Sequence, residues 1–344
     1  MRENLFSSKL NSALTIVIGF LLLRYIPPVL DWAFISANWI GSTQDDCTKD
    51  GACWVYIKQW FDQLIYGLFP EDQRWRVNLA LIGLLAVVTL QFFLPERLKR
   101  RVGWVSLIAF PLFSLWMMRG GWGLELVDSD QWGGFSLNIL LAFAGILMSL
   151  PIGIIWALGR RSEMPFIRII CIASIELFRG VPLITILFMG SVMLPLFFPE
   201  GTQIPLLARA FIAITLFQSA YMAEVVRGGL QAIPKGQVEA ADSLGLGYMK
   251  TMGLIVLPQA LKISIPNIVN TFIALFKDTT LVYIIGIFEV LRVAETGLQN
   301  SNWLGGHHEE AYVFVAFVFW VFCYLMSRIS VAIEKKLDTG HSRS

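Results

Sequence analysis

Eight stretches of this chain stay apolar for about the length needed to cross a bilayer, and that pattern leaves few folds open. In hydrocarbon every backbone N–H and C=O must be satisfied within the protein, and a helix of ~20 apolar residues does this unaided. The stretches lie near 12–35, 77–95, 103–118, 136–158, 181–198, 206–227, 263–289 and 311–332, the third and fifth being short. Composition agrees: 56% of the 344 residues are hydrophobic and 15% charged, against ~25% charged in soluble domains. The expected fold is all-α, a polytopic membrane protein with about eight transmembrane helices.

Lysine and arginine in short loops set orientation. They collect in 95–101 (PERLKRR), at Arg160 and Arg161, at Arg227, Lys235, Lys250 and Lys262, and at Lys335, Lys336 and Arg343. With an even number of spans these all fall on one side. That side is the cytoplasm, and both termini lie there. The opposite loops are acidic: Asp45, Asp46, Asp50, Glu71 and Asp72, then Glu125, Asp128 and Asp130, then Glu309 and Glu310. Tyr25-Ile26-Pro27-Pro28 after the first run reads as the interfacial end of a retained span, not as a cleavage site. Arg24 within that run snorkels towards an interface.

Several function classes fall away. A net charge of +2 gives no footprint for nucleic acid. The histidines and cysteines are too few and scattered for a metal centre. A phosphate-binding GxxxxGK[ST] loop is missing from the sequence, so any ATP must be bound by another chain. Cys47 and Cys53 share an outside loop, 36–76. A disulfide and two free thiols are both open there. Cys171 and Cys323 read as packing residues.

From Gly133 onward polar residues and helix breakers become frequent inside the apolar runs. The chain therefore divides into an N-terminal extension, 1–132, with three spans and the 36–76 loop, and a working core, 133–344, with about five spans. The core carries one long polar interruption, 228–262. Pro234 suits the first turn of a helix over Lys235 to Leu244, and Gly245 can end it in a left-handed cap. Glu239 stands beside Ala240 and Ala241, a thin ridge with a charge for a partner arginine, followed by Asp242 and Ser243. A second short helix, from about Gly247 to Val256, should end before Pro258. A membrane-surface helix would want basic and bulky apolar faces, which Glu239-Ala-Ala-Asp242-Ser243 does not supply.

Glu239-Ala240-Ala241, then Gly245, then Ile255-Val256-Leu257-Pro258 resembles the cytoplasmic EAA loop of permease subunits of binding-protein-dependent ABC importers. Glu176-Leu-Phe-Arg179-Gly180-Val-Pro182, Tyr221-Met-Ala-Glu224-Val-Val-Arg227-Gly228-Gly229 and Asn270-Thr271…Lys277-Asp278-Thr279 are similar to the polar amino-acid branch, the histidine/glutamine type. The extra N-terminal spans, with Gly51-Ala-Cys53-Trp54 and Glu71-Asp-Gln-Arg-Trp-Arg76, look like the longer permeases of general L-amino-acid transporters, the AapM type. The resemblance implies a type I importer core whose coupling helix enters a cleft on an ATP-binding subunit. It implies two such subunits, which hold the ATP and Mg²⁺, while this chain has no cofactor and no catalytic residue. It also implies a periplasmic amino-acid-binding protein and a second permease, a related but different chain.

Helical geometry places Asn267, Asn270, Thr271, Lys277 and Asp278 within an arc of roughly 120° on the seventh run. Charge in the middle of a span costs ~2.5–3.5 kcal/mol unless paired or hydrated. The stripe therefore lines the path, touches the sister permease, or ties helices together. Glu176 and Arg179, three apart, can pair on one helix face before the break at Gly180-Val181-Pro182. Zwitterionic amino acids need groups of both signs, so this pair, with Tyr221 and Glu224, joins the candidate path. A structural ion pair is the plain alternative, and Glu224 also fits a place at the cytoplasmic interface.

The function these readings support is the permease of an ATP-driven L-amino-acid importer. A permease for another polar solute, such as an opine, is the nearest rival. A secondary transporter would leave the Glu239–Pro258 segment without a role. A membrane enzyme would need catalytic groups at depth, whereas His307, His308 and His341 lie outside the spans.

Overall fold

The computed structural model describes residues 5–48, 50–303 and 308–337; His307, His341 and Arg343 lie outside the described residues. These form helices and no strand. In chain order they are α1 (Lys9–Leu30), α2 (Trp54–Tyr66), α3 (Arg74–Phe93), α4 (Glu96–Arg119), α5 (Gly134–Gly159), α6 (Pro165–Gly180), α7 (Leu183–Val192), α8 (Leu206–Gln231), α9 (Lys235–Ser243), α10 (Tyr248–Thr251), α11 (Leu257–Asp278), α12 (Val290–Leu298) and α13 (His308–Leu337). Among the described residues six stretches are long and apolar enough to cross a membrane: Lys9–Ile35, Glu71–Leu90, Gly134–Gly159, Leu206–Gln231, Tyr248–Ile285 and His308–Lys335. The pair α6 and α7 qualifies together, bent by 107°, for up to seven spans.

Three sequence expectations change here. The run 103–118 lies in α4, whose single helix Glu96–Arg119 starts back in the basic stretch. The run 181–198 is not one span. Val181 is extended (φ −115°, ψ 135°), as a residue before proline prefers, and α7 gives way to a tight 3-10 turn, Leu194–Phe197, around Pro195. The run 263–289 starts earlier and ends earlier. Its α-helix closes at Asp278 and continues as 3-10 to Ile285, with Gly286 at φ +94°. Lys277 and Asp278 thus sit where the α-helix gives way to 3-10 winding, inside the candidate span Tyr248–Ile285.

The expected stop before Pro258 is also absent. α10 passes through a π-turn, Met252–Val256, straight into α11, with Pro258 in the first turn of α11. Proline has no N–H, and its ring crowds the carbonyl four residues back. Wider π winding relieves that clash without ending the helix.

One compact unit comprises Met1–Asp62 with Ala294–Ala316, and a second Gln63–Val293 with Phe317–Ser344. In the first, the loop after α1 is tied down by backbone bonds from Asn38 N–H to Ala52 O (2.8 Å) and from Trp54 N–H to Asn38 O (3.0 Å). The buried Tyr56 hydroxyl donates to Ala294 O at 2.6 Å, and Cys53 N–H donates to the Glu310 carboxylate at 2.7 Å. The Cα atoms of Cys47 and Cys53 are 5.6 Å apart, a separation a disulfide bridges without backbone movement.

The second unit is organised on α8, which packs against α5, α6, α7 and α11. Its buried face is rich in small residues: Ala210, Ala213, Ser219, Ala220, Ala223 and Gly229. Such residues let helices approach closely where lipid offers no hydrophobic drive between them. Around them Leu137, Leu141, Leu187, Ile214 and Leu275 close one core cluster, and Ala157, Ile175, Met222, Val226 and Ile268 another. Phe69, Val77, Met118 and Val127 make a third, between α3 and α4.

Candidate functional site

The loop between α8 and α11 exposes α9. Pro234 stands at its N-cap, and Gly245 past its end has φ +74°, a conformation that costs residues with a Cβ roughly 1–2 kcal/mol. Leu246 N–H donates to Ala241 O at 3.1 Å, and Gly245 N–H donates to Asp242 O at 2.9 Å. This paired arrangement is the Schellman motif, and it satisfies carbonyls the helix end would otherwise leave open. Glu239, Ala240, Asp242, Ser243 and Gly245 are exposed, whereas Ala241 is buried. The two alanines therefore do not form one ridge. Ala241 faces inward on the same side as Val238, which packs on the second core cluster, and Ala240 faces out. Leu244, Tyr248 and Met249 are exposed beside them, at 77%, 57% and 81%. Their signal in the sequence was bulky apolar side chains in an otherwise polar loop.

α8 and α11 run antiparallel. Gln218 Nε2 donates to Thr271 O at 2.7 Å, and Ser264 Oγ donates to Val225 O at 3.3 Å. Gly229 lies so close to α11 that a Cβ there would fall 2.5 Å from Ala260 O. An open cavity of about 480 Å³ borders these two helices, lined by Phe217, Gln218, Tyr221, Val225, Asn267, Asn270, Thr271, Ala274 and Asp278. Five residues singled out in the sequence therefore meet in one place: Tyr221, Asn267, Asn270, Thr271 and Asp278. Lys277 is exposed and is not among the lining residues. Phe217, Gln218 and Val225 had no sequence signal beyond their place on the same helix.

Next to the cavity lies an ion-pair cluster that draws on three helices. The Glu224 carboxylate on α8 accepts from Arg227 at 2.6 and 3.0 Å and from Arg160, just past α5, at 2.8 Å. Arg179 at the end of α6 stands 3.6 Å from Glu224. Glu176 pairs with Arg160 at 3.1 Å, not with Arg179 as helix spacing had suggested. Arg179 instead covers the Tyr221 ring, 5.8 Å from its centre, within cation–π range. Glu224 is thus tied into the protein by Arg160, Arg179 and Arg227. Arg160 and Arg227 had been counted only as loop charge.

A second polar group is wholly buried. Asn138 Nδ2 donates to Thr279 Oγ1 and to the Glu289 carboxylate, both at 3.1 Å, and Asn138 Oδ1 accepts from Val290 N–H at 3.2 Å. Glu289 also accepts from Arg292 N–H at 2.8 Å, capping the start of α12. Asn138 on α5 thereby ties together the residue after α11 and the start of α12. An asparagine near the start of an apolar run was the legible sign of this lock.

The match to known proteins covers both the core and the whole chain. Residues 149–339 match the family model described as "Binding-protein-dependent transport system inner membrane component". The chain is 55% identical over 345 residues to the inner membrane amino-acid ABC transporter permease protein YhdY of Escherichia coli, covering 99% of this chain and 93% of that one. It is 37% identical to BztC of Rhodobacter capsulatus, a glutamate/glutamine/aspartate/asparagine transport system permease, over 99% of this chain and 94% of that one. A solved structure titled "Crystal structure of an amino acid ABC transporter with histidines" is similar over 58% of this chain and 90% of that one, with 28% identity and a TM-score of 0.52. A helical, multi-pass membrane protein with this similarity over its full length has one assignment: the chain belongs to the family of binding-protein-dependent transport system inner membrane components.

Proposed function

We propose that this chain is the transmembrane permease subunit of an ATP-driven amino-acid importer in the bacterial inner membrane. It is a membrane component and not itself an enzyme. The observation that carries the mechanism is that α8 both lines the cavity and leads directly into the exposed α9. A push on α9 therefore reaches the cavity through a rigid, close-packed helix pair.

In this reading two ATP-binding subunits, holding ATP and Mg²⁺, receive the exposed face of α9, Glu239, Ala240, Asp242 and Ser243. Ala241 and Gly245 fix the shape of that helix. A periplasmic binding protein delivers an L-amino acid on the opposite side. A second, different permease completes the path. Both termini lie in the cytoplasm, on the side of the basic loops. Closure of the ATPases draws the loop helices together, and the contact of Gly229 with α11 carries that displacement to the α8–α11 cavity. Asn267, Asn270, Thr271, Tyr221 and Asp278 give this cavity polar groups for a zwitterion. Support comes from the relatives' names, from the exposed loop helix and from the cavity beside it.

Glu239→Lys tests the coupling. The substitution sits on an exposed face and leaves insertion and folding intact. Uptake of radiolabelled L-amino acids by the complete transporter should fall to background while the complex still purifies intact. Normal ATP-dependent uptake by this variant sinks the reading.

A further inference from the structure

The arginines of the ion-pair cluster are not equally engaged. Arg227 is bound twice by Glu224, and Arg160 is shared between Glu176 and Glu224. Arg179 lies beyond hydrogen-bond distance from Glu224, and among the described residues none of its N–H donors makes a hydrogen bond. Its guanidinium rests on the ring of Tyr221, which lines the cavity. Among the described residues Arg160, Arg179 and Arg227 pair in this cluster with Glu176 and Glu224, three positive charges against two negative. A planar guanidinium with free donors in a partly dry setting is built to take a carboxylate through two parallel bonds.

The cavity has a negative group at its far end. The pairings Gly229–Ala260, Val225–Ser264 and Gln218–Thr271 set the register of the two antiparallel helices. In that register Asp278 lies about ten residues along α11 from the level of Tyr221, about 15 Å at a helical rise of ~1.5 Å per residue. One amino acid cannot span that distance, so the two charges act in succession rather than together.

We propose that Arg179, which does not line the cavity but stacks on Tyr221 at its edge, is the carboxylate-binding residue for the transported solute, beside the end of the cavity nearest the α8–α11 loop. Asp278 faces the ammonium group at the opposite end. A solute with both groups is attracted at each end in turn, and one without a carboxylate meets no partner at Arg179. The inference rests on the importer reading above and adds to it a residue that selects substrate chemistry. Tyr221 holds the guanidinium beside the cavity it lines, and Glu224, paired with Arg179 at 3.6 Å, is shared with Arg160 and Arg227.

The test uses the complete transporter, with both permeases, ATPases and binding protein, in proteoliposomes supplied with radiolabelled L-glutamate, L-glutamine and L-alanine. Uptake and ATP hydrolysis are measured together for wild type, Arg179→Gln and Arg179→Lys. Arg179→Gln should lower the amount of amino acid moved per ATP by about tenfold or more, the worth of a charge-assisted hydrogen bond. ATP hydrolysis stimulated by loaded binding protein should persist, and Arg179→Lys should recover part of the transport. A purely structural role would instead reduce transport and hydrolysis in parallel. That parallel loss, an unchanged transport ratio in Arg179→Gln, or failure of both variants to assemble would each overturn the proposal. Absence of ATP-driven uptake by the wild-type complex for all three solutes would count against the importer reading itself.

Discussion

Gly228 and Gly229 are adjacent on α8 but meet different surroundings, and the contrast gives a graded test of the α8–α11 contact. A Cβ at Gly228 would find nothing within 4 Å, whereas one at Gly229 would lie 2.1 Å from Ser264 Oγ and 2.5 Å from Ala260 O. The Ser264 hydroxyl can rotate away, but the Ala260 carbonyl is backbone. To restore a normal separation the start of α11 must move by roughly 0.9 Å, because packed interiors have no slack to absorb an extra methyl. Gly228→Ala should stabilise the protein by about 0.5–1 kcal/mol through helix propensity. Gly229→Ala receives the same benefit but pays an overpacking cost of about 1–3 kcal/mol. The two variants should therefore differ by about 1–3 kcal/mol in stability. At ~2–4 °C per kcal/mol, this is a separation of several degrees in the melting temperature of the purified complex. Uptake per ATP should fall for Gly229→Ala and stay unchanged for Gly228→Ala. Equal melting temperatures and equal uptake in the two variants would refute the claim that this contact links the loop to the cavity.

The other predictions follow the same logic. Glu224→Ala leaves Arg160, Arg179 and Arg227 facing one another, so it should cost about 3 kcal/mol, the lower end for a partly buried pair losing one member; adding Arg227→Ala should recover part of the loss in a double-mutant cycle read by thermal melting. Asn138→Ala removes bonds to Thr279, Glu289 and the Val290 backbone, and should cost at least about 1–3 kcal/mol, while Asn138→Asp places two carboxylates together and should be worse; an unchanged melting temperature in both would count against the buried lock. Cys47 and Cys53 should run as a disulfide, detected as a peptide two hydrogens lighter without reduction, and two free thiols in protein purified from the membrane would contradict it.

Much of this arrangement was readable because it obeys local rules. Proline and glycine at the ends of α9, and a regular spacing of polar residues on one side of α11, act within a few residues of chain. Asn267, Asn270, Thr271 and Asp278 came out together because a helix repeats on a fixed angle. What escaped the sequence depends on partners far along the chain. Glu176 looked like the partner of Arg179, but Arg160 from another helix reaches it first. Asn138 and Glu289 are about 150 residues apart and meet only when α5 and α12 are packed. The span boundaries moved where the backbone found an unusual winding, the π-turn at Met252–Val256 and the 3-10 stretch after Asp278. Apolar composition does not encode those choices. Lys277 shows the limit of a helical wheel, because its neighbour Asp278 lines the cavity while Lys277 does not.

The central claim is that movement of solute through this chain is driven by ATP hydrolysed on partner subunits. The most direct measurement is accumulation of labelled L-amino acids in proteoliposomes holding the complete transporter, with ATP inside, binding protein outside and an ionophore that collapses the proton gradient. Accumulation that requires both ATP and binding protein, and survives the ionophore, is the predicted result. Accumulation that proceeds without ATP and disappears with the proton gradient would contradict the account.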